Sequence, residues 1–255
     1  MEGVAYRQFL EFERDHWWFI GRRRSYFRIL ERFLPPQRLA AVADVGCGVG
    51  GMLPELGARY GDAIGLDADP ESIKICRERG FERSFVAGAH ELPFASESHD
   101  LLTYFDCIEH IEDDRAALTE ILRVLKPGAT AFFSVPAYQF LYSNNDKVAH
   151  HFRRYTKGEL TGKARDAGLE VVWSTYVNVV LFPVILPAVL LLKAKERLFP
   201  KAGDTRTNLS RKPSKLTNPI LAGIFGGEGH VLKRVPAPFG HSLVMVARKP
   251  RAAAS

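Results

Sequence analysis

Asp44-Val45-Gly46-Cys47-Gly48-Val49-Gly50-Gly51 directly follows the apolar run Leu39 to Ala43, and a second acid, Asp67, closes the next apolar run, Ala63 to Leu66. Glycines spaced by two after a short strand let the main chain turn sharply and lie close to a ligand, because no Cβ stands in the way. A carboxylate after the following strand can accept hydrogen bonds from both hydroxyls of a ribose. Together they read as a nucleotide-cofactor site. A second set of reactive types fills the stretch Ser134 to Thr156, where Tyr138, Phe140, Tyr142, Phe152 and Tyr155 are mixed with Asp146, His150, His151, Arg153 and Arg154. A plain surface loop has little use for five aromatic rings, so the mixture suits the rim of a pocket for an anionic or polyhydroxyl acceptor. His151 is the candidate general base, because a neutral imidazole persists near pH 7. Asp146 is placed to orient it, and Tyr155 is the third catalytic candidate. Tyr138, Tyr142, Arg153 and Arg154 are candidate acceptor contacts. The other reading, in which the histidine and arginines only pin the loop through ion pairs ahead of a helix capped at Thr156, stays open. A third cluster, His16-Trp17-Trp18-Phe19-Ile20-Gly21-Arg22-Arg23-Arg24, cannot place all its rings on one helical face. It is read as a lid over the cofactor cleft, with Trp17, Trp18 and Arg22 touching the acceptor.

These residues need a scaffold, and the chain supplies alternating strands and helices. A helix over Gln8 to Phe33 ends at Pro35-Pro36. Strands follow at Leu39 to Val45, Ala63 to Asp67, Ser84 to Ala87, Leu101 to Phe105, Thr130 to Val135 and Glu170 to Tyr176, with helices between them over Gly51 to Tyr60, after Asp69-Pro70, over Asp113 to Leu125 and over Lys157 to Ala167. Such alternation builds a parallel sheet covered by helices, with ligands beyond the carboxyl ends of the strands. Asp44, Asp67, Phe105 and Pro136 all fall there. Ser242 to Ala247 is the last strand.

Asp44-Val45-Gly46-Cys47-Gly48-Val49-Gly50, Gly65-Leu66-Asp67, Glu91-Leu92-Pro93-Phe94, Ile108-Glu109-His110-Ile111 and Leu122-Arg123-Val124-Leu125-Lys126-Pro127-Gly128 together resemble the class I S-adenosylmethionine-dependent methyltransferases, in that family's order. The resemblance implies an α/β fold with a Rossmann-like seven-stranded, mostly parallel sheet. It implies S-adenosylmethionine as cofactor, leaving as S-adenosylhomocysteine. The amides of the loop Gly46, Cys47, Gly48 and Gly50 would face its methionine part, Asp44 its amino group and Asp67 its ribose. Leu66 or Ala68 would cover the adenine and the Ala89 amide would border it, with Phe105 completing the set. Gly88 departs from the pattern, standing where an aspartate commonly accepts from the adenine amino group; a main-chain carbonyl or Glu91 would have to replace it. In this family His110 is more often part of a pocket wall than a base. The chemistry requires no metal, because the methyl group is already activated on positive sulfur. The aromatic and arginine segment, paired with Arg153-Arg154-Tyr155-Thr156, more loosely resembles a subgroup encoded among cell-envelope and secondary-metabolite functions.

At 255 residues and 46% hydrophobic content the chain can bury one large core. Its expected divisions are a lid over 1–38, a catalytic core over 39–176, an apolar and basic insertion over 177–240, and the last strand and tail over 241–255. Three widely spaced cysteines indicate neither a disulfide framework nor a structural zinc site. With no recognisable signal peptide, the reading is a cytoplasmic protein, peripheral at the inner face of the membrane. The net charge of +6 is unevenly spread: Leu39 to Asp146 carries 8 basic against 18 acidic residues, whereas Lys193 to Asn218 carries 8 basic against 2 acidic. An acidic core and a basic insertion argue against a nucleic-acid face and for an anionic membrane surface. Val179 to Leu192 is apolar apart from Pro183 and Pro187 and is followed by Lys193, Lys195 and Arg197. It falls short of the roughly 20 residues a spanning helix needs, leaving an interfacial segment, a lid or a dimer contact. Pro219 to Val235 reads as a short helix broken by Gly226, Gly227 and Gly229. The function expected is methyl transfer to oxygen or nitrogen of a small-molecule or lipid-linked acceptor by a monomer or homodimer. RNA methylation and a non-catalytic cofactor-binding protein are the alternatives.

Overall fold

Seven strands form one sheet in a computed structural model that describes residue 10 and residues 12–198 and 213–251. Its strands are β1 (Val42–Val45), β2 (Ala63–Asp67), β3 (Ser84–Val86), β4 (His99–Phe105), β5 (Leu125–Pro136), β6 (Glu170–Val177) and β7 (Ser242–Arg248). They lie in the order β3-β2-β1-β4-β5-β7-β6, parallel except for β7, which runs antiparallel to both β5 and β6. Strand order reverses beside β1, so the main chain leaves β1 and β4 on opposite sides and opens a crevice beyond their carboxyl ends. The central strands are buried on both faces, as a sheet sandwiched by helices requires.

The helices are α1 (Trp17–Phe33), α2 (Leu53–Tyr60), α3 (Pro70–Glu78), α4 (Asp114–Val124), α5 (Asn144–Val148), α6 (Lys157–Asp166), α7 (Phe182–Leu198) and α8 (Thr217–Leu232). Local chemistry sets several starts. Asp69 accepts from the Glu71 amide ahead of Pro70, Asp113 accepts from the Ala116 amide, and Thr156 and Glu159 cap each other reciprocally.

The helix expected over Gln8 to Phe33 is not continuous: residues 10 and 12 are helical, but the helix is interrupted before Trp17. The chain turns at residues 13–15, and α1 begins at Trp17 with the His16 ring accepting from the Trp18 amide; Gln8 lies outside the described residues. Tyr26, Phe27, Ile29 and Leu30 of α1 are buried in the main core, while the Trp17 end faces the crevice. The glycines of α8 do not break it. Gly226 and Gly229 are where α1 crosses: a Cβ on Gly229 would sit 2.9 Å from the Ser25 Cα and carbonyl oxygen, one on Gly226 3.0 Å from the Arg24 side chain and, from the α1 side, one on Gly21 2.7 Å from the Phe225 ring, whereas one on Gly227 would meet nothing within 4 Å. Close packing with α1 outweighs the helix cost of glycine there. Asn218 clasps the same pair, accepting from the Trp17 amide at 2.8 Å and donating to the Asp15 carbonyl at 2.6 Å.

The apolar segment forms α7 as a helix, with Pro183 in its first turn and Pro187 inside it. Buried Glu228 of α8 holds its approach by accepting from the Val179 and Val180 amides at 2.9 and 2.8 Å. Ile185, Ala188, Val189 and Leu192 line the crevice, Ala188 and Leu192 while partly open to solvent, and Val184, Leu190 and Leu191 are exposed away from it. Among the described residues no helix is long and apolar enough to cross a membrane.

Candidate active site

Beyond β1 and β4 the crevice widens into a cavity of about 1410 Å³. Its floor is the glycine loop. Gly46, Gly48 and Gly50 have φ of 72°, 55° and 85°, in the region that favours glycine. The Gly46 and Cys47 amides donate to the Leu66 carbonyl at 2.7 and 2.9 Å, stitching the loop to the end of β2. A Cβ on Gly46 would collide with Cys107, and one on Gly50 with Phe81, but one on Gly48 would meet nothing within 4 Å. Gly48 is therefore the point at which the loop offers an open cradle, while Gly46 and Gly50 shape the turn.

Two acids flank that cradle. Asp44 is buried and accepts from the Thr103 hydroxyl at 2.7 Å. Burial pushes its carboxyl up to about 7, against the lowering effect of that hydrogen bond. Because the folded protein holds this proton more tightly than the unfolded chain, the Asp44 contribution to stability is present below about pH 4 and is lost as pH rises through about 7. Asp67 accepts from the Gly48 amide and from the Asp69 amide, each at 2.9 Å. Burial raises its carboxyl despite those two bonds.

Of the residues expected at the cofactor, Asp44, Gly46, Cys47, Gly48, Asp67, Ala68, Ala89 and Phe105 line the cavity, and Gly88 and His90 border Ala89. Gly50 does not line it, and neither does Leu66, whose side chain is wholly buried in the core and leaves Ala68 as the apolar cover.

The opposite wall is polar. Trp17, Trp18 and Arg22 reach it from α1. The Arg22 guanidinium lies over the Trp18 ring at 4.4 Å and donates to Asp106 Oδ2 at 2.6 Å. Asp106, at φ 51°, also accepts from the Ser134 hydroxyl at 2.9 Å. Behind it a short 3-10 turn, Ile108–His110, carries Glu109 and His110. The Phe152 amide donates to the Glu109 carbonyl at 2.9 Å, which draws the loop after β5 against that turn. His151 thereby meets His110 edge to face, with ring centroids 4.6 Å apart.

Asp146 is the hub of this loop. Its Oδ1 accepts from His151 Nδ1 at 2.8 Å and Arg154 Nε at 2.7 Å, and its Oδ2 from the Ser143 amide at 2.8 Å. Burial opposes its charge, but these bonds and the Arg154 charge hold it well below the usual carboxylate range. With Nδ1 bonded to a fixed carboxylate, His151 keeps Nε2 for the cavity. Burial, reinforced by His151, lowers His110 to about 3, so its imidazole is neutral.

Four expected acceptor or catalytic residues do not line the cavity. Tyr155 is 2% exposed, and its hydroxyl donates to Asp114 Oδ2 at 2.7 Å, so it anchors the loop to α4 instead of acting on a ligand. Tyr138 stacks on Tyr176 at 5.1 Å, Tyr142 donates to the His151 carbonyl at 2.7 Å, and Arg153 pairs with Asp114 at 3.0 Å. The contacts of these four residues tie the loop down, while Asp146, His151 and Arg154, linked through the Asp146 carboxylate, lie at the wall. Asp106, Asn178 and His241 line the cavity without having been singled out from sequence, and Glu109, read there only as part of the Ile108 to Ile111 motif, lines it too; the acid pair in Asp106 to His110, next to a strand end, was the available signal.

Residues 43–133 match the model of a methyltransferase domain. The chain is 35% identical over 103 residues to norajmaline N-methyltransferase of Rauvolfia serpentina, covering 37% of this chain and 35% of that protein. It is 32% identical over 149 residues to the ubiquinone biosynthesis O-methyltransferase of Bordetella avium (strain 197N), covering 51% and 61%. The matched stretch thus spans less than two thirds of either relative. Among solved structures, a chain in the complex between the Haloferax volcanii Trm112 methyltransferase activator and a methyltransferase superposes with a TM-score of 0.63 at 22% identity, covering 99% of this chain and 97% of that one. That likeness speaks to the fold. In sheet order, in the loop and acid at the ends of β1 and β2, and in the methyltransferase domain matched over residues 43–133, the chain is similar to the class I S-adenosylmethionine-dependent methyltransferases.

Proposed function

We propose that the chain transfers a methyl group from S-adenosylmethionine to an oxygen or nitrogen of a small-molecule or lipid-linked acceptor. The observation that carries this reading is the continuity of the cavity: the open cradle at Gly48, with Asp44 and Asp67 beside it, shares one space with the wall of Asp146, His151, Glu109 and His110. The donor set fits the cofactor. Asp67 keeps lone pairs for ribose hydroxyls, Asp44 suits an ammonium, and the space at Gly48 suits close approach of the main chain. When bound, the cofactor supplies a methyl group on positive sulfur and becomes S-adenosylhomocysteine. The protein orients the acceptor and removes its proton. Asp146 fixes the His151 ring so that Nε2 meets the acceptor, and Trp17, Trp18 and α7 keep water from that end.

A lipid-linked acceptor is supported by α7. Ile185, Ala188, Val189 and Leu192 offer an apolar path out of the cavity, and the exposed Val184, Leu190 and Leu191 continue it toward Lys195 and Arg197. An exposed apolar strip with a basic end suits an anionic membrane surface. The test is methyl transfer from labelled cofactor to membrane lipid extract, pooled small metabolites and RNA in separate reactions. Label is expected in the lipid or metabolite fraction; label confined to RNA would overturn the acceptor assignment.

Asp44 gives the site a pH signature. Holding the cofactor's ammonium requires the ionised carboxylate, whereas the free protein carries it half protonated near pH 7. Affinity for S-adenosylhomocysteine is therefore expected to rise between about pH 5.5 and 7.5, by up to about tenfold per unit at the acid end. Calorimetric titration across that range checks it. In Asp44→Asn the affinity is expected to be weaker and nearly flat with pH, and an equally steep slope in that variant would remove Asp44 from the role.

A further inference from the structure

Three carboxylates of the polar wall, Asp106, Glu109 and Asp146, differ in their partners. Asp106 is paired with Arg22, and Asp146 with Arg154 and His151. Glu109 is 0% exposed, and among the described residues neither of its side-chain oxygens has a hydrogen-bond partner. Leaving a buried carboxylate without a partner costs several kcal/mol unless it is protonated or meets a cation. Yet Glu109 lines the cavity, and one ligating atom each from Glu109, His110 and His151 lie within 4.8 Å of one another.

We propose that Glu109, His110 and His151 bind one divalent transition-metal ion at the acceptor end of the cavity. Two imidazoles and one carboxylate, with positions left open for another ligand, form a donor set suited to zinc, iron(II), cobalt(II) or manganese(II) and poorly suited to magnesium or calcium, which prefer oxygen. The surroundings match what such sites require behind the ligands. Asp146 accepts from His151 Nδ1 at 2.8 Å, which fixes the ring and leaves Nε2 as its ligating atom. The main chain at His150 bonds to His110, and the Phe152 amide holds the Glu109 carbonyl at 2.9 Å, so both neighbouring segments are tied down. The ion also answers the charge balance, because it gives Glu109 the positive partner that Arg22 and Arg154 give the other two acids.

Binding of the ion does not depend on the methyl-transfer reading, but its use does. An acceptor hydroxyl drawn to an open position would be oriented toward the cofactor end and would lose its proton more readily than in water. His151 would then be a ligand, and acidification by the ion would replace proton removal by Nε2. That favours an acceptor with two adjacent oxygens, which can occupy two open positions at once.

The experiment uses the untagged full chain, stripped with chelator and titrated with cobalt(II) by visible absorbance and calorimetry. The expected result is one equivalent bound with a d–d spectrum, and affinity lower by at least about tenfold in Glu109→Gln and His151→Ala. Glu109→Gln removes a buried charge and is expected to fold at least as well as the parent, which a thermal midpoint checks. Failure of the parent chain to bind cobalt(II), or equal binding by both variants, overturns the proposal. The two readings fail separately. Cobalt(II) binding without methyl transfer to any acceptor would leave the ion site standing and remove the activity, whereas full methyl transfer in chelator with no cobalt(II) bound would do the reverse.

Discussion

Replacing His151 by alanine is expected to lower kcat by about a hundredfold to ten-thousandfold while S-adenosylhomocysteine affinity stays within about twofold of the parent. The side chain stands at the polar wall, held by Asp146, and the acids proposed to address the cofactor lie across the cavity at the ends of β1 and β2. Losing the ring removes either the group that takes the acceptor's proton or a ligand of the ion that acidifies it. The two roles separate in the parent protein, where chelator leaves turnover intact if His151 acts as a base and abolishes it if His151 holds an ion. Tyr155→Phe is the control. Its hydroxyl is bonded to Asp114 within the core, so that variant is expected to lose some stability and little turnover at saturating acceptor. A His151→Ala enzyme with parental kcat would remove the Asp146–His151 pair from the chemistry. Loss of cofactor affinity in that variant would instead make the loop after β5 part of the cofactor pocket.

The contrast between His151 and Tyr155 marks what could be read from sequence. The glycine loop and Asp67 were legible because their geometry is local: a strand, a turn that needs positive φ, and an acid at the end of the neighbouring strand. The alternation that produces the sheet was equally local, and the boundaries of β4 and β5 shifted only by a few residues. The loop after β5 was legible as a polar cluster but not residue by residue. Which side chains face the cavity depends on Glu109 binding the Phe152 amide and on Asp114 gathering Tyr155, Arg153 and Lys163, contacts made between segments distant in the chain. The glycines of α8 misled for a similar reason. Glycine breaks an isolated helix, but against α1 the absence of a Cβ is what permits the contact at Ser25 and Arg24. Glu109 was read only as part of a motif because its significance is an unmet need for a partner, visible only once burial and neighbours are known.

In the proposed function, S-adenosylmethionine binds in the cleft beyond β1 and β2 through Gly48 and Asp67. Replacing Asp67 by alanine removes two charge-assisted hydrogen bonds to the ribose, together worth about 1.5 to 3 kcal/mol after compensation, and releases the Gly48 amide that the carboxylate now holds at 2.9 Å. The loop around the open cradle should loosen as well. The direct measurement is calorimetric titration of S-adenosylhomocysteine into the parent and the Asp67→Ala variant, with thermal midpoints to show that both are folded. One-to-one binding of micromolar strength in the parent, weaker by about tenfold to a hundredfold in the variant, is the predicted result. A folded parent that takes up no S-adenosylhomocysteine would remove the cofactor from this cleft, and a variant that binds it as tightly as the parent would remove Asp67 from the site.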